Sequence, residues 1–485
     1  MIAIDTASRM REEENNLFSK GITPIELMDS VGRFISDRLA DRQNILIVCG
    51  AGNNAGDGFS AAVKMHESAK KVTVLLCKEK FSESGKYFYD KCVELGVKCI
   101  YGYKDVDFDS FDVIVDCLYG IGFRGDISGE DKEIVERINS ASAEVISVDI
   151  PSGLNADNGT TKCAVVADKV YSVGMLKYGL KLNAGKDHAK KTEIVPIGFS
   201  GDECGKLFEE CDCKEFLTER ENDCHKGKFG YISIFGGSEN FSGAVKLAGL
   251  ASCAMRSGSG VVRLVVPDRI VDWVAPYVLE STLFNESDFS SALTHVSALG
   301  VGCGWGRNED RSSLLKQLFE KSSCPIVLDA DGLYAWKALG LPARENLVVT
   351  PHYSEMAHLV GGTVSDVVSD PVGIATSFSR QHNCVTVLKG PSTIVTDGNE
   401  VIVTDRGCGG MATAGSGDVL LGIITSVIGQ KYNNLLLSVA YATYLNGIAG
   451  EIAKEKYTDI GMTSSDTARS IPEAIKLLRK CCGIN

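Results

Sequence analysis

Short apolar runs alternate with longer stretches of helical periodicity along the whole chain. In the first half, residues 44–49 (NILIVC) and 71–76 are predicted strands, and the helix between them is predicted to begin near Phe59, after a loop at residues 50–58. Residues 5–39 predict two further helices. A strand, a Gly-rich turn, a helix and a second strand form a βαβ unit, whose first turn is a usual site for nucleotides.

The second half repeats the alternation with different motifs, so we infer no internal repeat. Its predicted strands lie at residues 230–235, 261–266, 298–301, 325–329, 346–350 and 384–389. This order predicts an α/β protein with mainly parallel sheets covered by helices. Periodicity fades and charge rises at residues 201–224, which we therefore predict to be a linker between domains at residues 1–200 and 225–485.

Composition is that of an ordinary globular protein, and the length of 485 residues suggests about two to four domains. The net charge of −13 argues against general binding to nucleic acid or to a membrane surface, because both are polyanions. The N-terminus is charged, and no apolar run approaches about 18 residues, so we expect no signal peptide and no membrane span. Seventeen cysteines, an odd number, favour reduced thiols in the cytoplasm over a disulfide framework.

The loop at residues 50–58 (GAGNNAGDG) carries more polar side chains than a loop that only holds pyrophosphate needs. Its glycine spacing departs from the dinucleotide fingerprint, and Cys77 and Lys78 stand where that fingerprint has an acidic residue. The ordinary dehydrogenase interpretation is therefore weakened. Asn53, Asn54 and Asp57 are candidates for a binding site, while turn formation explains the same residues without function.

Polar residues also follow the next two predicted strands. Asp116 ends one of them, Asp149 ends the other, and Ser152 comes shortly after. The carboxyl ends of parallel strands face one crevice, so these side chains and Asn54 are expected to converge there. Hard oxygen ligands suit a hard cation, and a carboxylate held apart from that cation can act as an acid or base.

A glycine-rich stretch in the second half, residues 409–422 (GGMATAGSGDVLLG), leads into an apolar helix. A helix N-terminus with bare amide groups binds anions, and glycines let phosphate oxygens approach the main chain. Asp418 would then stand beside the phosphate, placed to take a proton from an attacking hydroxyl. The alternative is that Asp418 only caps the helix.

Polar residues at other strand ends favour the phosphate interpretation. Asp329, His352, Glu355 and Lys389 each follow a predicted strand. Any one of them is explained by turn formation. Together they would surround Asp418 with a cation and polar groups, as phosphoryl transfer requires.

A cluster of cysteines in the predicted linker raises a zinc hypothesis. Cys204, Cys211, Cys213, Cys224 and His225 lack the close C-x-x-C spacing of structural zinc sites. We therefore favour sensitivity of these thiols to oxidation over metal binding.

The first-half motifs GNNAGDG, VDCLYGIG and VDIPSGLNAD resemble the epimerase domain of the NAD(P)H-hydrate repair enzymes, which has a Rossmann-like three-layer fold. Those enzymes interconvert the R and S hydrates at carbon 6 of the nicotinamide ring. The resemblance implies a potassium ion at Asn54, Asp116 and Ser152 and proton transfer by Asp149. It places the hydrate at Asn53, Asn54, Ala55, Gly56, Asp57, Gly120, Ile121, Gly122, Phe123, Arg124, Gly125, Asp126 and Asp149. Ala55 and Ile121 depart from the residues that are frequent in the family.

The second-half motifs resemble, in order, the dehydratase domain of the same family, which has a ribokinase-like three-layer fold. They are HKGKFGYISIFGGSENFSGA, VGCGWG, LDADGL, TPHYSEM, LKGPSTIVTDG and GGMATAGSGDVLLGI. The resemblance implies that the hydrate lies near Ala244, Gly304 and His352, with Asp418 as the acting carboxylate. It places the nucleotide at Lys389, Gly390, Pro391, Ser392, Thr393, Gly409, Gly410, Met411, Ala412, Thr413, Ala414, Gly415, Ser416 and Gly417. Cys303 and Trp305 depart from the residues that are usual in the family.

The chemistry that the resemblance implies is phosphorylation of the hydroxyl at carbon 6, followed by elimination of phosphate. We expect ADP as donor, Mg²⁺ with the nucleotide, the substrates NADHX and NADPHX, and a cytoplasmic homo-oligomer. Two alternatives remain: a ribokinase-like small-molecule kinase fused to a nucleotide-binding sensor domain, and a first half that only binds ligand.

Overall fold

The computed structural model describes residues 1–200, 205–252, 254–307 and 309–484. The chain divides into two compact units, Ala3–Cys204 and Met1–Ile2 together with Gly205–Asn485. Each unit is an α/β layer structure with its own sheet.

The N-terminal unit is built on a parallel sheet in the order β4-β3-β2-β5-β6-β7-β9, and β1 pairs in parallel with β8. The strands are β1 Ile2–Asp5, β2 Asn44–Cys49, β3 Lys71–Leu76, β4 Lys98–Tyr101, β5 Val113–Cys117, β6 Glu144–Val148, β7 Lys169–Val173, β8 Leu176–Lys177 and β9 Thr192–Val195. The helices are α1 Ala7–Ser19, α2 Pro24–Arg38, α3 Asn53–Glu67, α4 Glu83–Glu94, α5 Gly129–Ser140 and α6 Gly185–His188. The strands predicted in this half and the two helices within residues 5–39 are confirmed.

The start of α3 differs from the prediction. The helix begins at Asn53, six residues before Phe59, so the Asn and Asp side chains of the predicted loop stand on its first turns. These turns pack closely against their neighbours, because a Cβ on Gly56 would lie 2.7 Å from the sulfur of Met28, and one on Gly58 would lie 2.8 Å from that of Cys117. Glycines therefore serve helix packing here as well as the turn.

The C-terminal unit has a sheet in the order β13-β12-β11-β14-β15-β16-β17-β18-β19-β10, which is parallel except where β18 pairs with its two neighbours. The strands are β10 Gly205–Leu207, β11 Tyr231–Phe235, β12 Val261–Val266, β13 Thr282–Asn285, β14 Ala298–Val301, β15 Ile326–Leu328, β16 Leu347–Val349, β17 Val385–Leu388, β18 Thr393–Thr396 and β19 Val401–Thr404. The mainly parallel sheet predicted for this half is confirmed.

Helices cover this second sheet. They are α7 Ser242–Ser252, α8 Ala254–Ser257, α9 Val271–Val274, α10 Phe289–Ala292, α11 Glu309–Lys321, α12 Asp331–Leu339, α13 Tyr353–Val360, α14 Val364–Ser369, α15 Pro371–His382, α16 Ser416–Gly429, α17 Leu435–Gly461 and α18 Ser464–Cys481. By length and composition α17 could cross a membrane, but 83% of its most apolar window is buried inside the protein. Its apolar surface therefore forms part of the core, together with that of α16.

Much of the predicted linker is structured. Strand β10 pairs in parallel with β19, and the ring of Phe216 stacks on that of Tyr441 with centroids 4.5 Å apart. This strand pairing and this aromatic contact attach the segment from Gly205 onward to the C-terminal unit. Cys204 lies outside the described residues, and Cys213 is buried in the core. Within the described part of the chain, no group of three or more His, Cys, Asp or Glu side chains is arranged to hold a metal ion.

Candidate active sites

In the N-terminal unit, Asp116 at the end of β5 is fully buried and accepts several hydrogen bonds. The hydroxyl of Ser152 donates to Oδ1 at 2.6 Å, and the amide of Ser152 donates to Oδ2 at 2.9 Å. The hydroxyl of Ser147 donates to Oδ2 at 2.7 Å. Burial raises the pKa of Asp116, and these hydrogen bonds oppose the rise. The carboxylate is therefore held in a fixed orientation by β6 and the turn that follows it.

Asn54 completes the polar group around Asp116 and Ser152. Its Nδ2 donates to the carbonyl of Tyr119 at 3.0 Å, and the amide of Tyr119 donates to Oγ of Ser152 at 2.8 Å. Oδ1 of Asn54 is buried and has no hydrogen-bond partner among the described residues. The structure thus brings the three predicted potassium ligands together and leaves one buried oxygen unsatisfied, as expected at a cation site.

A cavity of 650 Å³ opens beside this group. Nine of the residues predicted to contact the hydrate line it: Asn53, Asn54, Asp57, Gly120, Ile121, Gly122, Phe123, Arg124 and Asp149. The others do not line it. Ala55 and Gly56 are buried in the packing of α3, Gly125 has a positive φ of 90°, and the carboxylate of Asp126 pairs with Lys162 at 2.7 Å.

Asp149 projects into this cavity from a strained backbone, with a φ of 69°. Its Oδ1 accepts a hydrogen bond from the ammonium of Lys177, whose side chain is fully buried. The same ammonium donates to the carbonyl of Val173 at 2.7 Å. Sequence reasoning missed Lys177. The available signal was a lysine within the largely apolar run at residues 170–180 (VYSVGMLKYGL), because a buried lysine requires a charged or polar partner.

Two more carboxyl groups face the cavity. Burial raises the pKa of Asp57 well above its usual range, and the charges of Asp149 and Glu14 add to that rise while Lys177 opposes it. Burial also raises the pKa of Glu14 on α1, with a further contribution from Asp149 and opposition from Lys177 and Arg11. Glu14 was not identified from the sequence, where it stands in an acidic run, Glu12-Glu13-Glu14, that is typical of an exposed helix.

In the C-terminal unit, α16 begins at Ser416 with Gly415 as its N-cap residue, and no side chain caps it there. Asp418 stands in the first turn, so the alternative in which Asp418 only caps the helix is wrong. The first amide groups of a helix have no partner within the helix, and here the glycine loop leads directly to them. Hydroxyls hold the loop, since Ser416 donates to the carbonyl of Met411 at 2.6 Å and Ser464 to that of Ala414 at 2.7 Å.

An ion pair lies at this helix start. The ammonium of Lys389 is 2.7 Å from Oδ1 of Asp329, which also accepts a hydrogen bond from Thr350 at 2.7 Å. A Cβ on Gly417 would lie 3.2 Å from Oδ2 of Asp329 and 3.6 Å from the Lys389 nitrogen. Burial lowers the pKa of Lys389, but the charges of Asp329 and Glu355 outweigh burial, and the net pKa is raised. Lys389 therefore stays cationic.

The same environment acts on Asp418. Burial raises its pKa to about 7, with a further contribution from the charge of Asp329 and opposition from Lys389. None of the described residues donates a hydrogen bond to this carboxylate. A carboxyl group with a pKa near neutrality can exchange protons with a substrate hydroxyl.

The predicted hydrate residues lie in two places, Gly304 against Ala244 and His352 beside Lys389. Gly304 has a φ of 54°, and a Cβ there would lie 2.8 Å from that of Ala244. His352 is the N-cap residue of α13, and its Nδ1 accepts a hydrogen bond from the amide of Glu355 at 3.2 Å. The backbone of His352 also forms an isolated parallel β-bridge with Lys389, and the amide of Lys389 donates to the carbonyl of Pro351 at 2.9 Å. This backbone pairing places His352 next to Lys389.

The predicted nucleotide residues occupy two segments. Lys389, Gly390, Pro391 and Ser392 connect β17 to β18, and Thr393 opens β18. Gly409, Gly410 and Met411 form a short 3-10 turn, followed by Ala412, Thr413 and Ala414, which are exposed. Lys389 brings the first segment to the end of the second at Gly417.

The sequence is similar to curated proteins along nearly its whole length. The bifunctional NAD(P)H-hydrate repair enzyme Nnr of Moorella thermoacetica is 30% identical over 495 residues, covering 94% of this chain and 92% of the relative. This chain belongs to the bifunctional NAD(P)H-hydrate repair enzymes. The protein of the same name from Escherichia coli K12 is 29% identical and covers 92% of this chain.

Each half of this NAD(P)H-hydrate repair enzyme also matches a family model. One, described as YjeF-related protein N-terminus, matches residues 26–179, and one described as NAD(P)H-hydrate dehydratase matches residues 232–473. The first match begins after α1, so the helix that carries Glu14 lies outside it.

Solved structures resemble the dehydratase half of this repair enzyme. The ADP/ATP-dependent NAD(P)H-hydrate dehydratase of Bacillus subtilis, co-crystallised with ATP and Mg²⁺, has a TM-score of 0.52 at 24% identity and covers 56% of this chain and 99% of that one. A ribokinase-like superfamily protein of Enterococcus faecalis has a TM-score of 0.52 at 21% identity and covers 56% of this chain and 96% of that one. The predicted ribokinase-like fold is confirmed.

Proposed function

We propose that the chain repairs hydrated nicotinamide cofactors at two active sites. The N-terminal unit interconverts the R and S hydrates of NADH and NADPH, and the C-terminal unit dehydrates the S hydrate to the reduced cofactor. The observation that carries the dehydratase assignment is Asp418, with a pKa of about 7 at an amide-lined helix start beside Lys389. Similarity to bifunctional repair enzymes along both halves supports the pairing of the two activities.

Dehydration proceeds in two steps, phosphorylation of the hydroxyl and elimination of phosphate. Asp418 takes the proton of the hydroxyl at carbon 6 as that oxygen forms a bond to the terminal phosphorus of the donor, and the bond from phosphorus to the bridging oxygen of the donor breaks. The phosphate on carbon 6 then leaves with its bonding electrons, helped by the ring nitrogen. The C5 proton passes to water, and its bonding electrons form the C5=C6 double bond of NAD(P)H. Hydroxide is a poor leaving group, and phosphate is a good one, which is why a donor is needed.

ADP is the proposed donor, bound by Lys389–Thr393 and by the loop from Gly409 to Gly417. The B. subtilis relative is described as ADP/ATP-dependent, which supports a nucleotide donor here. Amides at the start of α16 and the ammonium of Lys389 stabilise charge on the transferring group. Mg²⁺ would be held by phosphate oxygens and water, with the carboxylate of Asp329 as the nearby protein ligand. It would add positive charge beside the transferring phosphate.

In the epimerase site, Asn54, Asp116 and Ser152 would hold a potassium ion. The unsatisfied buried Oδ1 of Asn54 supports this assignment, and the ion would supply a fixed positive charge beside the hydrate. Asp149, held by Lys177, transfers a proton at the hydroxyl on carbon 6.

Placement of the activities follows the predicted boundaries. We assign the epimerase to residues 1–200 and the dehydratase to residues 225–485, and we propose a cytoplasmic homo-oligomer. NADHX and NADPHX are the proposed substrates.

One assay tests the proposal. The purified chain is incubated with mixed hydrates, ADP, K⁺ and Mg²⁺, and the absorbance of reduced nicotinamide is followed together with inorganic phosphate. Full return of the absorbance with stoichiometric phosphate release is expected. A kinase fused to a sensor domain would instead accumulate a stable phosphorylated product, and that outcome would overturn the proposal.

A further inference from the structure

Helix α1 forms one wall of the epimerase cavity. Met10, Arg11 and Glu14 all line it, and their spacing places them on one face of the helix. Asp149 and Lys177 line the cavity from the ends of β6 and β8. A carboxyl group on α1 therefore faces the same space as the Asp149–Lys177 pair but is carried by a different element.

We propose that Glu14 is a second catalytic residue of the epimerase. It transfers a proton to or from the oxygen on carbon 6, on the face of the ring opposite to Asp149. This inference rests on the proposed epimerase function. It adds a residue that lies outside the region matched by the family model.

The chemistry of epimerisation requires two groups. The C6–O bond breaks as the ring nitrogen donates its electron pair to form a C6=N1 double bond, and the departing oxygen takes a proton from one acid and leaves as water. A second water then adds to the other face of carbon 6 and gives its proton to a base, while the electron pair returns to nitrogen. The acid and the base must stand on opposite faces, and their roles exchange in the reverse direction.

The surroundings of Glu14 suit this role. Lys177 is already bound to Asp149, and among the described residues the carboxyl group of Glu14 has no hydrogen bond or ion pair. The groups that act on it are Asp149, Lys177 and Arg11, and burial together with Asp149 raises its pKa. Glu14 can therefore carry the proton that the departing oxygen takes, while Asp149 stands on the other side of the cavity as the second group.

Asp57 is a less suitable second group. It stands one turn after Asn54 on α3. Asn54 and Asp149 both lie close to Gly120, because a Cβ on that glycine would be 3.2 Å from the Cβ of Asn54 and 3.6 Å from Oδ2 of Asp149. Asp57 therefore belongs to the wall that already carries Asp149. Glu14 approaches from α1.

The test is epimerase kinetics of Glu14→Gln in the full-length chain, in both directions and across pH. The expected kcat is lower by about 100-fold or more, with KM within about twofold of the wild-type value. One limb of the bell-shaped pH profile should disappear, because glutamine cannot gain or lose a proton in this range. Dehydration of pure S hydrate should be unchanged. Glu12→Gln is the matched control, since Glu12 lies on the same helix and is 63% exposed, and it should behave as wild type.

Several results would overturn the inference. These are a wild-type kcat with both limbs in Glu14→Gln, a loss confined to KM, or loss of one limb in Asp57→Asn instead. If Glu14→Gln does not fold, Glu14→Asp decides: a lower kcat with a bell whose one limb is shifted supports the role, and an unchanged profile refutes it. A wild-type chain with no epimerase activity would refute the proposed function itself.

Discussion

The ammonium of Lys389 lies 2.7 Å from Oδ1 of Asp329, at the start of the helix that carries Asp418. Lys389 thus neutralises Asp329 through direct contact, and its nitrogen also lies 3.8 Å from Glu355. Asp418 accepts no hydrogen bond from the described residues, and burial raises its pKa, with a further rise from the charge of Asp329 and opposition from Lys389. This arrangement separates a carboxylate held in an ion pair, Asp329, from a reactive one, Asp418.

Asp418→Asn should abolish dehydration, because an amide cannot take the hydroxyl proton. We expect a loss in kcat of about 100-fold or more. The measurement is return of reduced-nicotinamide absorbance from S hydrate and ADP. Epimerisation of R hydrate by the same variant is the internal control, and Asp272→Asn, at an exposed position, should match wild type in both assays. A residual rate close to wild type would remove Asp418 from the reaction.

The pH dependence of dehydration should follow the ionisation of Asp418. Since the base must be ionised, kcat/KM should rise with pH through a midpoint near 7. Asp329→Asn removes the negative charge that raises this pKa and frees Lys389 to act on Asp418, so the midpoint should move to lower pH. A midpoint that stays in place would show that another group controls the profile.

Stability should reveal the same raised pKa. Asp418 is protonated in the folded chain up to a pH near 7 and in the unfolded chain only up to its ordinary, lower pKa. The folded state is therefore penalised progressively as pH rises between these values, and the penalty is complete above 7. Asp418→Asn should raise the melting temperature relative to wild type at pH 8 and much less at pH 4. An equal effect at both pH values would contradict a titrating Asp418.

Asp149→Asn should stop recovery of the cofactor part-way. With mixed hydrates and ADP, absorbance should return quickly for the S fraction and then proceed only at the spontaneous rate of epimerisation, because the R fraction is no longer converted. Adding wild-type chain should restore full recovery. Complete and rapid return by the variant alone would show that Asp149 is dispensable.

Asn54→Ala should weaken activation of the epimerase by potassium. It removes the unsatisfied buried oxygen proposed as a ligand, so we expect half-activation to require about tenfold more K⁺, or more. The titration replaces K⁺ by tetramethylammonium at constant ionic strength, and dehydration of S hydrate is followed alongside. An epimerase rate that does not depend on K⁺ in the wild type would refute the site.

The sequence alone determined the strand and helix order, the two α/β halves and the polar residues at strand ends. These features are local: apolar runs, glycine turns and the residues that follow them can be recognised without knowing what lies nearby. The motif residues Asn54, Asp116, Asp149, Ser152 and Asp418 could be named for the same reason.

Only the tertiary structure decided which groups meet and how each one ionises. Glycines in the helix that begins at Asn53 pack against Met28 and Cys117, and the partner of Asp149 is a lysine 28 residues away. The acidic run at residues 12–14 looks uniformly exposed in the sequence, yet it sends Glu14 into a cavity. Burial and charge from distant segments set the pKa of Asp418, because electrostatic interactions depend on distance in space and not along the chain.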